Sequence, residues 1–160
     1  MNRAITGIVL GSLAATAFAQ QGMTPLQSAY INMAKSLSTR KIDGFKAFLA
    51  PEVAVMSEDG APGTKDDFVT FARHIVAGDG RVDVKFQLRN WKVTGDLAGV
   101  DVMMLVTRSI GASKVVIEEP QRHEWKRLDT GWKLQSVKFL PVPQQEELPM
   151  LPGISVVGKS

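Results

Sequence analysis

The chain has 160 residues, enough for one domain with a proper core and too few for two. It is 44% hydrophobic and 22% charged and contains no Cys, which excludes disulfides, a thiol nucleophile, a lipid-attachment cysteine and thiolate-bound zinc. The net charge of +3 comes from 19 Lys and Arg against 16 Asp and Glu that alternate in sign without a block of five, so nucleic acid is not an expected partner.

The N-terminus departs from this average. Arg3 precedes an uncharged apolar run from Ala4 to Ala15, and Ala17-Phe18-Ala19 frames a cleavage pattern before Gln20. This is the layout of a secretory signal peptide, with an apolar run too short to span a bilayer. The expectation is a leader over 1–19, a domain over 20–143, an extended tail over 144–160, and an exported protein (periplasmic or extracellular) with no membrane anchor.

Three helices come next. Thr24 can cap the first, Pro25 suits its first turn, and Gln27 completes a capping-box spacing. Leu26, Ala29, Tyr30, Met33 and Leu37 then form one buried stripe. A short second helix is predicted from about Lys41 to Leu49, stopped by Pro51, and a short strand over Glu52–Ser57. Thr64 caps the third helix, with Asp66 and Asp67 at the positive end of its dipole, Gly78 closing it, and Phe68, Phe71, Ala72 and Ile75 facing inward.

From Arg81 the period changes to two. Val82, Val84, Phe86 and Leu88 share a face, and then the parity slips so that Trp91 and Val93 carry it. One extra residue near Arg89 and Asn90 predicts a β-bulge. After the TGDL turn, AGVDVMMLVTR reads as a central strand, followed by strands over about 114–128 and 132–142. The pattern is α+β: a bent antiparallel sheet of about four long strands packed on three N-terminal helices.

The order of these pieces, with IDGFKAFLAPEVAV, GTKDDFVTF, VTGDLAGVDV and EWKRLDTGWKLQSV, resembles the nuclear transport factor 2-like superfamily over roughly residues 24–142. That group includes SnoaL-like cyclases, ketosteroid isomerases and many small secreted proteins. The resemblance implies a cone-like fold whose curved sheet wraps a helix-lined pocket, and a homodimer through the outer sheet face. It also implies that His123 occupies a strand position where isomerases place a hydrogen-bonding acid. The isomerase tyrosine position falls on Met33 and the catalytic base on Ser57, neither of which can do that chemistry.

A three-residue loop, Asp129-Thr130-Gly131, predicts pairing of Leu128 with Trp132, Trp125 with Gln135, His123 with Val137 and Gln121 with Phe139. On that count Trp125 and Trp132 lie on opposite faces. The expected pocket is lined by Tyr30, Met33, Ser57, Trp91, His123, Trp125 and Phe139, with His123 the candidate catalytic residue. Asp101 is expected on the outer face and His74 in solvent. No metal-ligand spacing, phosphate loop or nucleophile elbow is present, so neither metal nor cofactor is expected. Two readings follow. One is non-catalytic binding of a small apolar or aromatic ligand, or of a protein. The other is a SnoaL-like acid–base enzyme (isomerase, dehydratase or cyclase) using His123.

Overall fold

A computed structural model describes residues 13–142, with side chains from Thr24 onward; residues 1–12, within the expected leader, and residues 143–160, which hold the expected tail, lie outside the described residues. The first helix, α1 (Leu13–Ser38), is longer than expected. Thr24 does not cap it, and Pro25 lies inside it. The Ala-rich run before Pro25 favours helix strongly enough to propagate through the one backbone bond that proline removes. From Leu26 onward the stripe is as the spacing predicts, with Leu26, Tyr30, Met33 and Leu37 almost fully buried.

The second helix, α2 (Ile42–Lys46), is a single turn or so, and the chain becomes strand at Leu49, earlier than expected. Leu49 therefore enters the core from β1 (Leu49–Met56), which tolerates Pro51 near its start. After the two-residue β2 (Pro62–Gly63) comes α3 (Lys65–Val76). Thr64 caps α3 as expected: its hydroxyl accepts from the Asp67 N–H while the Asp67 carboxylate accepts from the Thr64 N–H at 2.7 Å.

Four long strands complete the sheet: β3 (Arg81–Thr94), β4 (Leu97–Ile110), β5 (Ser113–Leu128) and β6 (Gly131–Phe139). The spatial order is β2-β1-β6-β5-β4-β3. The long strands form the predicted antiparallel meander, and β1 joins it parallel to β6. The sheet thus has six strands: the four long ones, the expected short strand, which begins earlier as β1, and the two-residue β2, which periodicity alone could not place. Register slips between Leu88 and Asn90, leaving Arg89 as the bulged residue, where the parity change predicts it.

The β5–β6 hairpin differs from expectation. Leu128 pairs with Gly131, and Arg127 with Trp132, across a two-residue turn. Gly131 adopts a left-handed φ of 105° and so serves as the first strand residue. A second bulge at Gln135 then restores the expected register, with His123 opposite Val137 and Gln121 opposite Phe139. The two tryptophans consequently do not serve opposite faces. Trp132 and Leu134 point into the same core as Trp125 and Val137, and all four are buried.

Candidate functional site

One row of residues on the inner face crosses the sheet from Trp91 through Val100 and His123 to Val137, and α1 reaches it at His123. His123 is fully buried, as are Gln121 and Trp125 two residues to either side. Alternation along β5 puts all three on one face. Tyr30, from the buried stripe of α1, reaches down between them.

These four side chains form a hydrogen-bonded chain. The Trp125 indole N–H donates to Tyr30 Oη at 2.8 Å, and Tyr30 Oη lies 3.0 Å from His123 Nδ1. His123 Nε2 lies 2.8 Å from Gln121 Oε1. An amide oxygen only accepts, so Nε2 carries the imidazole proton and Nδ1 accepts from the tyrosine hydroxyl. Burial disfavours the imidazolium and pulls the His123 pKa from 6.5 down to about 3. Burial likewise raises the Tyr30 phenol, with the Trp125 hydrogen bond opposing it. The histidine is therefore neutral at physiological pH and its two nitrogens are both engaged. Its ring lies parallel to that of Tyr30 with centroids 5.7 Å apart, and Trp125 meets Tyr30 edge-on at 5.0 Å.

The structure does not gather the predicted pocket residues around one cavity. Met33, His123 and Trp125 are sealed in the filled core. Trp91 follows the Arg89 bulge to the far end of the edge strand and is 50% exposed. Ser57 and Phe139 meet at a shallow cleft of about 320 Å³ with Phe68 and Phe71. There the Ser57 hydroxyl is engaged by Asp59 and by Ala61 O. Of the predicted set only Tyr30 borders the larger space, an open groove of about 780 Å³ between α1 and β3. Its apolar lining includes Ile31, Ala34, Phe86 and Leu88, with Gln27, Lys35, Asp83 and Lys85 among its polar neighbours.

Asp101 sits on the outer face, as the strand count predicts. Arg122 opposite grips it through two bonds of 2.7 and 3.1 Å and, with Asn90, holds its carboxyl below the usual range. His74 is exposed on α3. Among the described residues no group of His, Cys, Asp or Glu could hold a metal ion, and no helix is long and apolar enough to cross a membrane. Sequence reasoning missed the groove and the role of Gln121. The parity Gln121, His123, Trp125 carried a signal for the latter, whereas the groove depends on how α1 is set against the sheet edge.

No protein-family model matches the chain, and no curated protein matches it. Solved structures do. An NTF2-like protein with a cystatin-like fold from Novosphingobium aromaticivorans matches with a TM-score of 0.65 at 12% identity, over 88% of this chain and 95% of its own. A protein from Streptomyces avermitilis, inferred to be a dehydratase of the NTF2-like family, matches with a TM-score of 0.63 at 14% identity, over 78% and 99%. A second N. aromaticivorans protein, inferred to be an aromatic ring hydroxylase, matches at 0.58 and 18%, over 76% and 89%. Identities this low speak to the fold, and the fold of this chain is the NTF2-like, cystatin-like α+β fold.

Proposed function

We propose that the chain is an exported, non-catalytic NTF2-like domain that takes a small apolar or aromatic molecule in the groove between α1 and β3. The observation that carries this reading is the groove itself. Its volume of about 780 Å³ suits a small molecule, and an apolar lining with a few polar groups nearby is the usual composition of such sites. The acid–base alternative lacks comparable support. His123 is fully buried, and among the described residues its partners are Tyr30 and Gln121, with no carboxylate bonded to it. The names of the dehydratase and hydroxylase neighbours raise that alternative without supplying its residues here.

Calorimetric titration with a panel of uncharged one- and two-ring aromatics tests the binding. A Kd below about 1 mM is expected for at least one. Ile31→Glu should weaken it about ten-fold without lowering the melting temperature, because Ile31 is 67% exposed. Absence of binding across the panel, or equal binding by the variant, overturns the reading. Export rests on the leader pattern and is tested by N-terminal sequencing from the producing cell, with Gln20 or a neighbour expected first. The reading includes a second copy of the chain on the outer sheet face, where Leu105 and Val116 lie; sedimentation of the Val116→Lys variant tests this, with a shift to monomer expected.

A further inference from the structure

Strand β5 is longer than the strand that covers it. Its sixteen residues begin at Ser113, but β6 pairs only from Gln121 to Leu128. Leu140 N–H adds one bond, to Pro120 O at 2.9 Å. Ser113–Glu119 is bonded to β4 on one side and, among the described residues, has no strand on the other. This edge is apolar at its centre, with Val115 58%, Val116 49% and Ile117 39% exposed. Lys114 and Glu118 flank the centre, both exposed and, among the described residues, in no ion pair. A bare strand edge is a template for adding another strand.

We infer that the strand added here is the same edge of a second copy of the chain, laid antiparallel about a two-fold axis at Val116. Hydrogen-bond phase permits it. In an antiparallel pair alternate residues direct both N–H and C=O to the same neighbour. Pro120 turns its carbonyl to Leu140, so Glu118, Val116 and Lys114 turn their backbone groups to that same open side. About an axis at Val116 these residues meet one another, and each pair can exchange two backbone bonds. Charge selects the register. Lys114-Val115-Val116-Ile117-Glu118 is complementary to its own reverse, so Lys114 faces Glu118 of the second copy and Glu118 faces its Lys114. Val115 and Ile117 face each other between them. An axis at Ile117 would instead set Lys114 against Pro120, which has no N–H and whose carbonyl Leu140 already takes. An axis at Val115 would set Glu118 against Ala112, in the turn before β5. The contact is isologous and closes at two copies. Neither the groove nor the outer-face contact proposed above enters this pairing.

Val116 lies on the outer face as well as on the edge, so backbone exchange and charge reversal separate the two contacts. In the full chain the Val116 and Glu118 amides should gain protection as concentration rises, exchanging at least about ten-fold more slowly once dimer predominates. A face-to-face contact gives those amides no carbonyl. Lys114→Glu and Glu118→Lys should each raise the dimer Kd about ten-fold. Both changes in one chain should restore it, because the reversed sequence is again its own complement. The absence of native Cys allows a third reading. Val116→Cys should oxidise to a disulfide-linked dimer at least about ten-fold faster than Glu118→Cys, since position 116 alone meets itself across the axis. Protection independent of concentration, which reports a cover from within the chain, overturns the pairing. So do amides that stay unprotected at every concentration, the face-to-face or monomer outcome, and a double reversal that binds no better than the single ones.

Discussion

Tyr30 Oη and His123 Nδ1 lie 3.0 Å apart although 93 residues separate them, and that bond joins α1 to the middle of the sheet. The same oxygen accepts from Trp125, so a single hydroxyl satisfies two buried groups from β5. Its removal should therefore be felt twice.

Tyr30→Phe keeps the ring and its packing but strands the Trp125 indole N–H and the His123 acceptor nitrogen. The expected cost is about 2–4 kcal/mol, since each unsatisfied buried group loses its partner without regaining water. Urea unfolding of the variant measures it. In a cycle with His123→Phe the two changes should be strongly non-additive. Additive losses, or a Tyr30→Phe cost below about 0.5 kcal/mol, would show that the chain of bonds does not act as a unit.

The depressed His123 pKa makes stability depend on pH in a defined window. The unfolded imidazole takes up a proton near 6.5 and the folded one near 3. Between those values the unfolded state binds more protons, so stability is complete above about pH 6.5 and falls as pH drops toward 3. The slope approaches about 1.4 kcal/mol per pH unit. Denaturant melts at pH 7.5 and pH 5 should thus differ by about 2 kcal/mol for the wild type, and by much less for His123→Phe. Working above pH 5 keeps Asp67 and Asp101, whose carboxyls are held low, out of the comparison.

A second anchor lies where α1 ends. Arg40 adopts a left-handed φ of 57°, and its guanidinium donates to the carbonyls of Val76, Gly78 and Gly80 at 2.8–2.9 Å. These carbonyls close α3 and lead into β3, so one side chain ties three elements together. Arg40→Met should cost about 1–2 kcal/mol, toward the low end for charged hydrogen bonds because the site is open to water. Arg40→Gly loses the same bonds but relieves the left-handed backbone, and should cost less. Thermal melts rank the two; the reverse order would mean that relief of the left-handed backbone contributes nothing measurable at this position.

The Arg89 bulge could be read from sequence because an alternating face records its own parity, and Val82 to Leu88 against Trp91 and Val93 leaves room for one extra residue. The Thr64 cap of α3 was equally local. Errors arose wherever a distant partner decided the outcome. The hairpin turn looked like a three-residue loop, and nothing local to Asp129-Thr130-Gly131 reveals that Gln135 absorbs the difference. Likewise, the alternation along β5 put His123 on the inner wall, where it lies, but whether it meets a cavity or a tyrosine depends on how closely the helix approaches. Here it approaches closely enough to exclude a cavity, and Trp91, set beyond its reach, stays at the surface.

The corrected hairpin register has an optical consequence. Trp125 is 1% exposed and Trp132 5%, whereas Trp91 is half exposed. Had the tryptophans of the hairpin served opposite faces, two of the three would meet solvent. Acrylamide or iodide should therefore quench one emitting population, red-shifted relative to the rest, and leave a blue-shifted remainder nearly untouched. Trp91→Phe should abolish the accessible fraction while leaving the protected emission in place, because an exposed residue on an edge strand contributes little packing. Trp132→Phe should instead cost stability, since it removes a buried side chain that Arg127 also covers with its guanidinium 5.9 Å from the ring. Persistence of the accessible fraction in Trp91→Phe, together with its loss in Trp132→Phe, would place Trp132 on the solvent face and restore the three-residue turn.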